Sequence, residues 1–126
     1  MGTVWTWAAV ATGGALGSLL RFWMTGWIGA LTGPRFPWHT LVINVLGSFV
    51  IGWFGTLTAE RLPIQADARV FVMVGICGGF TTFSSFSLQS LDLLRTGELA
   101  LGLLYIGGSV VLCLAAVTAG FLLARV

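Results

Sequence analysis

Residues 70–91 read VFVMVGICGGFTTFSSFSLQSL, a stretch without one charged side chain. As a straight helix it would rise about 33 Å at 1.5 Å per residue, enough to cross a hydrocarbon core of about 30 Å. Its centre is unlike a lipid-facing helix. GGFTTFSSFS, residues 78–87, joins a glycine pair to five hydroxyl side chains at Thr81, Thr82, Ser84, Ser85 and Ser87, with Phe80, Phe83 and Phe86 recurring every third position. Glycines weaken a helix, and a bilayer offers no partners for hydroxyls or freed carbonyls, so the segment reads as one that faces protein or a cavity.

Outward from this segment the same pattern repeats. Charges fall only at Arg21, Arg35, Glu60, Arg61, Asp67, Arg69, Asp92, Arg95, Glu98 and Arg125, which leaves uncharged runs at 1–20, 36–59, 70–91 and 99–124. The chain is 57% hydrophobic and 8% charged, with a mean hydropathy of +0.99, against about 25% charged residues in soluble domains. These numbers predict an all-α, multi-pass integral membrane protein. Residues 1–126 form a single transmembrane domain with spans at about 4–28, 40–58, 70–91 and 99–123. The first run lacks the basic start of a cleavable leader and stays apolar beyond Arg21, so it counts as a span. The glycine pair Gly78-Gly79 predicts a break in the third span near the midplane. Trp5, Trp7, Trp27 and Trp38 lie near span ends, where indole rings anchor at the interface.

Four spans place Arg61, Arg69 and Arg125 on one side of the membrane and Arg35 and Arg95 on the other, with Arg21 near the second group. Arginine excess normally sets orientation, and here it is close to nil. The chain can therefore insert both ways and pair antiparallel about an axis in the membrane plane, unless other cues resolve the weak bias. Gly13 with Gly17, Gly14 with Ser18, and Ser48 with Gly52 have the small-xxx-small spacing of close helix contacts, a further pointer to oligomers. The chain carries no internal repeat, so any symmetry comes from a second copy.

Several function classes drop out. The spans hold no His, Asp or Glu to run acid–base catalysis or to carry a proton, and no phosphate-binding glycine loop is present, so neither an enzyme nor a driven transporter is predicted. His39, the single histidine, precedes the second span. Cys77 and Cys113 sit in apolar runs and have no zinc-type spacing. With net charge +2 and no basic cluster, nothing points to nucleic acid.

What remains are neutral hydrogen-bonding groups. Asn44 lies one helical turn from both Thr40 and Ser48, forming a polar stripe, and its amide can donate to an anion or tie helices together. A break at Gly78 and Gly79 frees carbonyls that could hold a small cation, or the glycines could simply admit a close neighbour. Phenyl rings at Phe83 and Phe86 present positive edges that attract a desolvated anion, while a stripe of this kind also serves packing. Ser84, Ser85 and Ser87 stand beside them, and Tyr105 and Ser109 add hydroxyls one turn apart in the fourth span. Arg21 either attracts anions at a vestibule or snorkels to headgroups.

In combination, GSLLR at 17–21, TLVINVLGSFVIG at 40–52, GGFTTFSSFS at 78–87 and the Tyr105/Ser109 pair resemble the small bacterial fluoride channels of the CrcB, or Fluc, type. The resemblance covers essentially the whole chain, and its third-span motif is the most specific part. It implies an antiparallel dual-topology homodimer in the bacterial inner membrane, passively exporting fluoride through two pores and relieving its toxicity, with a structural sodium ion at the dimer centre. By that resemblance Gly78 and Thr81 would supply backbone carbonyls to the sodium, and Phe83 and Phe86 would line the pores. Asn44 would donate to fluoride, Tyr105 and Ser109 would belong to a polar track, Thr40, Ser84 and Ser87 would add hydroxyls, and Arg21 would match the arginine of the first span. Phe80 falls to packing. Gln89 stands where relatives often have a carboxylate, and Cys113 where a hydroxyl can extend the track. The competing readings are a small multidrug-resistance-like transporter, which needs a first-span glutamate that this chain lacks, and an accessory subunit of a larger membrane complex.

Overall fold

The computed structural model describes residues 2–126, all of its regular structure helical. Helix α1 is Val4–Thr32 and α2 is Trp38–Glu60. Helix α3 spans 66–80 as three continuous stretches, α-helical Ala66–Val70, π-helical Phe71–Cys77 and α-helical Gly78–Phe80. Helix α4 is Phe83–Arg95 and α5 is Leu99–Arg125. The expected spans at 4–28, 40–58, 70–91 and 99–123 therefore each fall on helix, with the third divided.

Local chemistry sets these boundaries. Thr3 opens α1 by accepting the Thr6 N–H, and Gly33, at φ 76°, closes it just before Pro34. That left-handed conformation suits glycine, and proline cannot continue the helix. Pro37 sits at the N-cap of α2, and Pro63 follows its C-terminal turn. Gly97, at φ 84°, turns α4 into α5 within three residues, while the Glu98 N–H reaches back to the Leu93 carbonyl at 3.0 Å.

Among the described residues, three stretches are long and apolar enough to cross a membrane by length and composition: Trp38–Glu60, Ala66–Arg95 and Leu99–Arg125. Helix α1 is longer than the first, yet its tryptophans, threonines, glycines and Arg21 dilute its hydropathy.

Two tight pairings build the molecule, α1 on α3 and α2 on α5. Glycine makes both possible. A Cβ on Gly13 would lie 2.5 Å from the Phe71 carbonyl oxygen, and one on Gly79 would lie 2.5 Å from that of Gly14. Gly17 meets the Ile76 carbonyl more closely still, and Gly52 and Gly120 do the same against Val117 and Phe49 across the α2–α5 contact. The small-residue spacing expected to serve oligomers is thus used in part inside one chain: Gly13, Gly17 and Gly52 face a helix of their own subunit, whereas a Cβ on Gly14 would meet nothing within 4 Å.

At one end of the bundle, Thr6 donates to Asp67 at 2.6 Å and Arg69 to the Thr58 hydroxyl at 3.2 Å. Arg125 grips Glu60 through Nε and Nη2 at 3.0 and 3.2 Å. Exposed pairs of this kind contribute about 1 kcal/mol or less, so they fix helix register more than they stabilise the fold.

The break in the third span is not at the glycine pair. Gly78 has helical angles, φ −65° and ψ −40°, and the chain becomes extended only at Thr81 (φ −80°, ψ 159°) and Thr82 (φ −151°, ψ 115°). Gly79 is needed for the contact with Gly14, and threonine is at home in extended backbone. The π-helical stretch Phe71–Cys77, one α-helical turn before the break, widens α3 there.

Candidate functional site

Thr82 is the hinge between α3 and α4, and its backbone is held by one side chain. Its N–H donates to Asn44 Oδ1 at 2.8 Å, and Asn44 Nδ2 donates to its carbonyl at 3.1 Å. The Thr82 hydroxyl accepts the Ser85 N–H at 3.2 Å, capping α4. A helix interruption inside a membrane leaves backbone groups that lipid cannot satisfy, and one carboxamide with a donor and an acceptor meets both demands of this peptide. Because the Thr82 N–H is turned to Asn44, it does not serve the Gly78 carbonyl, its partner in an unbroken helix. Asn44 keeps one further N–H. Its glue role and its donor role are compatible.

Two cavities flank the hinge, and Thr82 borders both. The first, about 350 Å³, is a groove lined by Asn44, Ser48, Gly78, Thr81, Phe83, Phe86, Ser109 and Cys113 among others, with no charged side chain. Ser109 Oγ is buried beside it without a hydrogen-bond partner among the described residues. Phe83 and Phe86 stand 5.5 Å apart, tilted by 44°. Phe83 is 80% exposed, extreme for a phenylalanine that also borders a groove, whereas Phe80 is buried as packing.

The second cavity, about 330 Å³, is polar: Arg21, Ser18, Thr25, His39, Thr40 and Gln89 contribute to its wall. Arg21 Nε is buried without a partner among the described residues. Tyr105 lies behind this wall, fully buried, with its hydroxyl donating to Gln89 Oε1 at 2.7 Å. Gln89 Nε2 in turn lies 3.4 Å from His39 Nε2. The Tyr105 ring packs on Phe86 at 5.2 Å and edge-on to Phe36 at 5.4 Å.

Of the residues singled out in the sequence, Asn44, Gly78, Thr81, Phe83, Phe86 and Ser109 meet at the first cavity, and Arg21 and Thr40 at the second. Tyr105 reaches the second through Gln89. Ser84 and Ser87 border neither, and the Ser87 hydroxyl donates back to the Phe83 carbonyl at 2.9 Å. Thr81 spends its hydroxyl on the Cys77 carbonyl at 2.8 Å. Thr82 was missed as the hinge, although a threonine three residues before Ser85 has the spacing of an N-cap.

A family model for CrcB-like proteins, described as Camphor Resistance (CrcB), matches residues 8–121. The chain belongs to the CrcB family. Among curated CrcB-type relatives, the Fluoride-specific ion channel FluC of Agrobacterium fabrum is 49% identical over 118 residues, covering 94% of each chain. The protein of that name from Nitrobacter winogradskyi is 50% identical, covering 97% of this chain and 98% of its own. A third, from Methylocella silvestris, reaches 53% over 91% and 89%. These relatives are named as channels, a non-enzymatic activity, and the family places this chain among multi-pass bacterial membrane proteins. In this chain the charge-free groove and the polar cavity meet at Thr82.

Proposed function

We propose that this protein is a fluoride-selective passive channel, letting fluoride leave the cytoplasm and so relieving its toxicity. The observation that carries the reading is the uncharged groove at the helix break, in a chain about half identical, nearly end to end, to fluoride-specific channels. The groove offers donors without a fixed positive charge: the spare Asn44 N–H, the Ser109 hydroxyl and the ring edges of Phe83 and Phe86. Fluoride is small and strongly hydrated, so it must be met by many donors and released by all of them. Neutral donors allow both.

The channel is a pair of chains, each crossing the membrane four times, assembled antiparallel with two pores. Support comes from one face of the single chain. Gly78 and Phe83 are exposed there beside an interrupted backbone, and lipid is a poor cover for freed carbonyls. A second copy would cover them. α1 forms the fourth span: its 29 residues have length to spare, and four spans put the N-terminal end, the 61–65 loop and the C-terminus at one end, in keeping with the Asp67 and Glu60 contacts. The near-even arginine count favours insertion in both orientations.

The carbonyls of Gly78 and Thr81 fit a sodium ion. Both residues border the groove at the break, the Gly78 carbonyl has lost the Thr82 N–H, and carbonyl oxygens suit a hard cation. Bound there, sodium would be structural, coordinated by freed carbonyls between two copies. Chain residues do the rest: Asn44 fixes the break, and α1 holds α3 through Gly14 and Gly79.

The test is fluoride release from liposomes carrying the purified protein, with a potassium ionophore setting the voltage. Fluoride is released and chloride is retained. Equal release of both, or release of neither, overturns the reading.

A further inference from the structure

Tyr105, Gln89 and His39 form a chain of three side chains from the buried core to the polar cavity, drawn from α5, α4 and the first turn of α2. The sequence contains one tyrosine and one histidine, and both belong to it. The amide between them fixes directions. Tyr105 donates to Oε1, so Nε2, a donor only, faces His39 Nε2. That contact is favourable when His39 Nε2 is the unprotonated nitrogen and its proton sits on Nδ1. At 3.4 Å it is the weaker of the two links.

We propose that His39 is a proton-controlled positioning residue for the Tyr105 hydroxyl, acting through the Gln89 amide, and that acidification on its side of the membrane redirects that hydroxyl's proton. When a proton from solvent binds Nε2, two donors face each other across the contact. Turning the Gln89 carboxamide end for end removes the conflict. Oε1 then accepts from imidazolium Nε2–H, and Nε2 donates to the Tyr105 oxygen. Tyrosine keeps its own proton, which no longer has Oε1 to point at and turns toward the neighbouring Thr40 side chain. Histidine ordinarily changes charge between about pH 5 and 8, and burial lowers the pKa of His39, so the change falls toward the acidic side. The charged and titratable groups at this cavity are Arg21 from α1, His39 from α2 and, behind Gln89 on α4, Tyr105 from α5; no carboxylate lines it. Protonation therefore also adds a second positive charge beside Arg21. This inference rests on the channel reading only for its consequence: a charged His39 at the cavity wall favours an anion, so fluoride flux rises as pH falls.

Because each residue is unique, all signals of protein labelled with ¹³Cζ-tyrosine and ¹⁵N-histidine, in detergent or lipid, come from Tyr105 and His39. In the native protein the Tyr105 signal shifts with the same midpoint as His39. In Gln89→Leu, His39 still titrates and Tyr105 no longer follows; in His39→Gln the Tyr105 signal is flat. A flat Tyr105 signal in the native protein while His39 titrates overturns the proposal, and so does coupling that survives Gln89→Leu. In liposomes, with the leak of protein-free vesicles subtracted, flux rises from pH 8 toward lower pH in the native protein and less in His39→Gln. Identical profiles overturn the conductive consequence. Absence of fluoride flux at every pH with the spectroscopic coupling intact counts against the channel reading and leaves the relay standing.

Discussion

Asn44 shows how one neutral side chain can make a helix break tolerable in a membrane. Its two hydrogen bonds to Thr82 are reciprocal, so any replacement that can only accept or only donate leaves a backbone group bare. Asn44→Asp keeps an acceptor for the Thr82 N–H but loses the donor to the Thr82 carbonyl, and adds a charge to an uncharged groove. An unsatisfied buried polar group costs about 1–3 kcal/mol, so this variant should melt earlier in detergent and conduct no fluoride. The two phenylalanines separate function from stability. Phe86 packs on both Phe83 and Tyr105, with aromatic pairs contributing about 0.5–1.5 kcal/mol each, whereas Phe83 is largely uncovered in the single chain. Phe83→Ile and Phe86→Ile should both abolish fluoride flux in liposomes. Phe86→Ile, which loses two aromatic pairs, should lower the unfolding midpoint of the subunit more than Phe83→Ile, which loses one; flux retained in either would remove the ring edges from the pathway.

The interrupted third span is the element on which the fold turns, and its existence was legible while its position was not. Helix-weakening glycines and clustered hydroxyls announced an irregularity. The competing demand came from another element: α1 approaches α3 so closely at Gly14 that Gly79 is kept helical, and the extended residues move to Thr81 and Thr82. That displacement explains the misplaced serines. α4 restarts at Phe83, and each residue of phase turns a helix by about 100°, so Ser84 and Ser87 leave the cavities while Ser85 bonds to Thr82. The His39–Gln89 contact joins positions 50 residues apart and has no local signal at all. Asn44, by contrast, announced itself as the one amide in an apolar run. The two glycines can be told apart by substitution. Gly79→Ala drives a methyl group to 2.5 Å from the Gly14 carbonyl oxygen, where only backbone can yield, at a cost of about 1–3 kcal/mol. Gly78→Ala meets nothing within 4 Å in its own chain. Gly79→Ala should therefore destabilise the subunit itself. Gly78→Ala should leave it intact while weakening a dimer that closes over the break; an unchanged dimer, measured by cross-linking in membranes, would place the interface elsewhere.

At the scale of the whole molecule the question is whether one sequence occupies the membrane in two orientations. Hydropathy reads the same from both sides, and the tie-down of the N-terminus, Glu60 and Arg125 at one end gives that end only a small arginine excess. Orientation balanced this finely should yield to a few added charges, because lysine and arginine in short loops decide which end stays in the cytoplasm. Leu62 and Ile64 are exposed in the 61–65 loop, and Thr96 and Glu98 are exposed at the opposite end. Leu62→Lys with Ile64→Lys should hold that loop inside, and Thr96→Lys with Glu98→Lys should hold it outside. Each double variant alone can make no antiparallel pair and should give no fluoride resistance in a fluoride-sensitive host. Expressed together, the two should restore it, since each supplies the orientation the other lacks. Full resistance from either variant alone would mean that a single orientation suffices, and the antiparallel dimer would have to be abandoned for a parallel assembly.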